Sequence, residues 1–171
     1  MKAITTLLKL LNKPALLNWS NKIGLEGISL KDYRKKSTAS GTNKHSEVEQ
    51  YLLNGVVFNE CELLENCLSG YKIIAVEESF NNGFITCKAD LILEKNDKII
   101  IIDFKSSKKV YLEHKIQLST YKEIFGADEI AVINFIDWTL NYIKIDTRKY
   151  YEIAKRLYQI STLLTDLNEG I

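Results

Sequence analysis

The chain predicts an α/β fold, a mixed β-sheet flanked by helices, and three observations carry that prediction. Helical and strand-like segments follow one another as helices–β–β–β–α–β–β–α, an order that suits helices packed on a sheet. Residues 99–102 are four consecutive isoleucines, the composition of a central strand covered on both faces. Asn96-Asp97 separates that run from an equally apolar segment, and both residues tolerate the positive φ of a two-residue hairpin turn.

With 171 residues, the chain is long enough to bury a core as one domain over 1–171. Residues 1–40 read as a helical N-terminal segment and 41–171 as the core. Residues 2–23 have helical character, with a break before Pro14, which suits the first turn of a second helix. Leu16, Leu17, Trp19, Ile23 and Leu25 would make the apolar face of that helix, and residues 28–40 are polar, basic and loop-like. Thr42 suits an N-cap for a helix carrying His45, Val48, Glu49, Leu52 and Leu53, ended by Asn54-Gly55. A further helix over 59–68 closes at Ser69-Gly70.

A strand over 71–80 ends with Glu77 and Glu78 inside it, and Asn81-Asn82-Gly83 turns the chain into the hairpin. Residues 112–125 read as a helix with Gly126 as its stop. Residues 129–137 and 139–145 read as two strands, and Asp146 or Thr147 starts a last helix reaching about Leu167. Trp19 and Trp138 are most simply core or interface aromatics, and His114 a helix-start residue.

Net charge is +1, which leaves no global basic footprint for nucleic acid. Local clusters remain: Lys31, Arg34, Lys35 and Lys36, then Lys105, Lys108, Lys109 and Lys115. Cys61, Cys67 and Cys87 have neither CxxC spacing nor histidines at zinc spacing, so they read as reduced, small hydrophobic residues. No cleavable signal or membrane-spanning run is legible, and the expected location is cytoplasmic, or the host cytoplasm for a viral protein.

With Asn96-Asp97 as the turn, Lys95 faces Lys98, Leu93 faces Ile100, and Asp90 faces Asp103 on one sheet face. Opposed carboxylates destabilise a sheet unless a cation sits between them. Lys105 shares their face, two residues beyond Asp103. Two acids and a lysine thus gather at the end of an apolar strand. On the next helix, Gln117 and Tyr121 are four apart and share a face.

Gly41-Thr42-x-x-His45, Ala89-Asp90, Asp103-Phe104-Lys105 and Gln117-x-x-x-Tyr121 together resemble the PD-(D/E)XK nuclease superfamily, and within it the RecB-like exonuclease branch. The chain is similar there to mitochondrial genome maintenance exonucleases and phage recombination nucleases. Ala89 stands where the family's proline usually precedes the first acid. The four-cysteine signature of the iron–sulfur relatives is missing, so no cluster is expected. The resemblance implies a restriction-endonuclease-like mixed sheet and a nuclease core over 41–171. It implies Mg²⁺ or Mn²⁺ on His45, Asp90, Asp103 and the Phe104 carbonyl, with Glu77 as a further acid. Lys105 would orient or deprotonate the attacking water. Gln117 would bond within the site or to the DNA backbone, and Tyr121 would pack there or stack on a base. Phosphodiester hydrolysis needs an activated water and neutralised phosphate charge, which hard divalent ions on carboxylates supply.

The expected partner is DNA, as single strands or ends, without a membrane and with an oligomer possible. High Lys, Ile and Asn usage hints at an AT-rich, viral or phage source. Three other readings stay open: an endonuclease of resolvase or restriction type, a non-catalytic nucleic-acid-binding module on the same fold, and an adaptor protein of a mobile element.

Overall fold

A computed structural model describes residues 1–11, 14–27, 29, 43–107 and 109–169. The basic cluster at 31–36, Gly41-Thr42 with the expected Thr42 cap, Lys108, and the surroundings of Leu16, Leu17 and Trp19 lie outside the described residues. The described residues form a six-stranded mixed sheet with helices on both faces, as the sequence predicts.

The chain opens with β1 (Lys2–Ala3), α1 (Ile4–Leu7) and a short 3₁₀ turn over Leu8–Leu10, then α2 (Pro14–Leu25). The expected first helix is therefore interrupted: Lys2 and Ala3 pair in parallel with Ile85 and Thr86. Ile23 is buried, but Leu25 is 90% exposed and does not join the apolar face of α2. A helix over 43–54 (α3) and α4 (Cys61–Leu68) follow.

The sheet is built from β2 (Lys72–Asn81), β3 (Ile85–Lys95), β4 (Lys98–Lys105), β5 (Glu129–Asn134) and β6 (Leu140–Tyr142). Between β4 and β5 runs α5 (Leu112–Phe125), and α6 (Thr147–Glu169) ends the described chain. The β3–β4 register is the one expected, with Lys95 opposite Lys98 and Leu93 opposite Ile100. Asn96 and Asp97 have φ of 53° and 61°, the left-handed pair a tight hairpin turn requires. Gly126, at φ 82°, closes α5 in the left-handed conformation.

Two strands are shorter than their sequence suggests. β5 stops at Asn134, where Trp138 N donates to the Asn134 carbonyl at 2.7 Å and folds residues 135–137 into a turn. β6 keeps three residues. In both places apolar side chains continue past the strand because they pack on a core outside the ladder: Phe135 and Trp138 are buried against α3 and α4, and Ile143 and Ile145 pack on the opposite face.

β4 is buried from Ile100 to Phe104, as its isoleucine run predicts, because both faces carry a layer. On one face Ile92 and Ile101 pack with Ile4 and Leu7 of α1, Ile116 and Tyr121 of α5, and Ala154 and Leu157 of α6. On the other, Leu91, Leu93, Ile100 and Ile102 pack with Val48 of α3 and Leu64 and Leu68 of α4.

β2 follows one edge of β3 along its length. The other edge is shared by β1, at Ile85–Thr86, and by β4, at Leu91–Lys95. Between them, residues 87–90 of β3 have no ladder partner on that edge. The site lies in this opening.

Candidate active site

The ladder between β3 and β4 ends at Leu91–Ile102, one step before the expected Asp90–Asp103 pair. The two acids therefore do not oppose each other across a regular sheet face. Asp90 reaches across the opening, and its Oδ2 accepts the Phe104 N–H at 2.8 Å. A side chain takes over one main-chain bond of the ladder and so satisfies a group that a splayed strand would leave unpaired.

The backbone opposite is irregular as well. Glu77 has φ 55°, in the left-handed region that a bulky residue adopts only under constraint. The pairs Val76–Leu91 and Glu78–Ala89 flank Glu77 and Asp90 in one register, and the register shift of β2 on β3 falls earlier, between Ile73 and Ala75. Along β3, Cys87, Ala89 and Ile92 all pack on the same core, so the alternation of faces breaks at Asp90 and Leu91. Asp90 is turned off the sheet face into the split. Glu77 itself forms an ion pair with Lys88.

Asp103 keeps the expected face. It is 2% exposed and pairs with Lys105, so the lysine sits where the sequence places it. The ammonium meets Asp103 Oδ2, a carboxylate oxygen closed off from solvent. Burial, then the nearby Asp90 charge, push the Asp103 carboxyl up to about 6, against the opposing pull of Lys105 and His45.

Lys105 Nζ also donates to Gln117 Oε1 at 3.4 Å, and Gln117 Nε2 donates to the Tyr121 hydroxyl at 2.7 Å. The shared face of α5 thus orients the lysine. Tyr121 is 2% exposed, packs edge-on against Phe80, and its hydroxyl is held protonated by burial first and by the Asp103 charge next. It has no open face for a base, so of its two expected roles only packing and orientation survive.

His45 approaches from α3, on the other side of the sheet. Its Nε2 lies 3.1 Å from the Phe104 carbonyl oxygen and 3.4 Å from Asp90 Oδ2. Edge contacts with Phe104 and Phe135 hold the ring, with centroids at 6.1 and 4.9 Å. Atoms sharing one octahedral cation at about 2.1 Å stand about 3 Å apart. His45 Nε2 stands at about that spacing from both Phe104 O and Asp90 Oδ2, and the donor chemistry of the three suits a hard or borderline divalent ion. Among the described residues, no three His, Cys, Asp or Glu side chains gather closely enough to hold a metal without a main-chain donor. Asp103 Oδ2, buried beside Lys105, is already faced by that residue's ammonium. Glu77, committed to Lys88, is not part of this convergence.

One supporting residue escaped the sequence reading. Asn134 is 5% exposed; its Nδ2 donates to the Ser107 carbonyl at 2.7 Å and its Oδ1 accepts from Ile136 N at 2.8 Å. It ties the segment after Lys105 to the end of β5. The signal was a polar residue directly after Ile-Ala-Val-Ile, on a strand otherwise buried.

The site is thus an acid-and-lysine strand end, braced by a helix glutamine and faced by a histidine, in the split of a mixed sheet. A sequence profile of the PD-(D/E)XK nuclease superfamily matches residues 59–145, just over half of the chain, and the chain belongs to that superfamily. Its members are in general nucleases, hydrolases that typically use divalent ions such as Mg²⁺ and act on nucleic acid. No curated protein matches the chain in sequence. Among solved structures, the crystal structure of SSO0001 is similar at 21% identity and a TM-score of 0.37, covering 74% of this chain and 70% of that one; so loose a likeness adds nothing to the argument.

Proposed function

We propose that this chain is a Mg²⁺- or Mn²⁺-dependent deoxyribonuclease of the RecB-like branch that hydrolyses single-stranded DNA from an end. The observation that supports it best is the position of Lys105, held against Asp103 and Gln117 beside the split that His45, Asp90 and the Phe104 carbonyl face.

His45, Asp90, Asp103 and the Phe104 carbonyl would hold the ion, while Glu77 stays paired with Lys88. A bound divalent ion supplies charge neutralisation at the phosphate and lowers the pKa of water. Lys105 positions the attacking water and stabilises the charge that grows on the phosphate oxygens. Gln117 keeps the ammonium aimed at the split, and Tyr121 fixes Gln117. Asp90 holds the Phe104 peptide by its N–H, so that the carbonyl on the far side of that residue points to His45. With α3 on one face of the split and α5 on the other, the scissile bond is reached between two helices, which suits one strand better than an intact duplex.

Labelled linear and circular single-stranded DNA, each with Mn²⁺ or EDTA, test the proposal. Degradation of the linear strand alone, and only with Mn²⁺, is the expected result. Rapid cutting of the circle would convert the reading to an endonuclease. Binding without cleavage of either would convert it to a binding module.

A further inference from the structure

The site-bearing face of α5 does not end at Gln117. Tyr111 is the extended N-cap residue just before α5, and His114, Gln117 or Leu118, and Tyr121 follow it at intervals of three and four, the last three on one helix stripe. Exposure grades along it. Tyr121 and Leu118 are buried, Gln117 and His114 are partly buried, and Tyr111 is 47% exposed. Gln117, toward the inner end, contacts Lys105, and Tyr111 lies six residues before it at the helix N-terminus.

Two contacts hold Tyr111 in place although it is exposed. Its N–H donates to His114 Nδ1 at 3.3 Å, and its ring meets the His114 ring edge-on, centroids 5.5 Å apart. The ring is thus preorganised. Val110 beside it packs on the core, which anchors the backbone. From Tyr111 to Gln117 is about 9 Å along the helix axis at 1.5 Å per residue, on the scale of the step from one nucleotide to the next. Lys109 and Lys115 add positive charge on either side. A held, half-exposed aromatic ring beside lysines is what an unstacked base binds, by stacking that tolerates any base.

We infer that Tyr111 is a base-stacking residue, taking the unpaired nucleotide next to the scissile phosphate, with His114 as the residue that positions its ring. The inference rests on the nuclease reading for its register, and it adds a reason for single-strand preference: a base inside a duplex has no free face to offer.

The test uses the full chain and two variants, Tyr111→Ala and Tyr111→Trp. Single-stranded oligonucleotides carry 2-aminopurine at successive positions, with Ca²⁺ present to allow binding. In the unaltered protein, quenching should peak at one position; Tyr111→Ala should lose that peak and Tyr111→Trp keep it. In Mn²⁺-supported cleavage, Tyr111→Ala should raise KM about tenfold, the range expected for one stacked base. An abasic site at the peak position should erase the difference between the variant and the unaltered protein. Equal quenching and equal KM in Tyr111→Ala and the unaltered protein would overturn the inference and leave the nuclease reading standing. If the unaltered protein cleaves nothing, the nuclease reading fails, and the quenching arm alone decides on Tyr111: a peak lost with alanine supports it, a peak retained overturns it.

Discussion

The two ends of the β3–β4 hairpin are built from one pair of strands and behave in opposite ways. From the turn to Leu91–Ile102 the ladder is closed, and beyond the polar pairs next to the turn its side chains, Leu91–Leu93 and Ile100–Ile102, are apolar and buried. Beyond that step the strands part, and Asp90, Asp103 and Lys105 fill the split. The closed end gains from burial on both faces. The open end holds a buried carboxylate paired with Lys105 and a left-handed Glu77 opposite. Stability is concentrated where the strands pair, and chemistry where pairing has been given up.

Breaking the open end should cost activity before it costs anything else. Lys105→Ala should lower cleavage by about a thousandfold, as removal of a group acting on the water and the phosphate does. It should also lower the Tm, because Asp103 is left buried without its cation. Normal cleavage by this variant would move the lysine's role elsewhere.

Breaking the closed end should do the reverse. Ile101→Ala, at a position with no exposure, should cost about 2–5 kcal/mol by denaturant unfolding, while the folded fraction retains metal-dependent cleavage. A loss under 1 kcal/mol would mean that the two helix layers collapse onto the vacancy.

Asp90→Ala tests the seam between the halves. It removes the acceptor of the Phe104 N–H, and an orphaned main-chain donor costs about 1–3 kcal/mol. Its stability loss should therefore be smaller than that of Ile101→Ala but should come with loss of cleavage. Stability equal to that of the unaltered protein would show that water replaces the carboxylate at Phe104 N.

Asp103→Asn should give the smallest energy change and the most telling sign. Burial holds the folded carboxyl near 6, above the unfolded value of about 3.9. Its contribution to stability is therefore fully present below about pH 4 and lost as pH rises through about 6. At pH 8 in EDTA the asparagine variant should be more stable than the unaltered protein, on the order of 1 kcal/mol or about 3 °C in Tm. The gap should close toward pH 4, and cleavage should be lost. A variant less stable than the unaltered protein at pH 8 would show that the Lys105 pair outweighs the burial of the charge.

Much of this protein was legible in its residues. The isoleucine run and the Asn96-Asp97 turn give the hairpin and its register, because a period of two and a two-residue turn leave no other pairing. The Asp-x-Lys spacing puts Asp103 and Lys105 on one face, and the four-residue interval joins Gln117 to Tyr121; both follow from local geometry alone. The tertiary structure decided where the hairpin opens. At that place β1 occupies the start of the edge that β4 leaves, and Glu77 lies opposite with a left-handed backbone, contacts between segments distant in sequence. It also decided that Tyr121 is sealed in the core and that His45, more than forty residues before its partners, meets Asp90 and Phe104. Periodicity fixes which way a side chain points relative to its neighbours; only packing fixes what it points at.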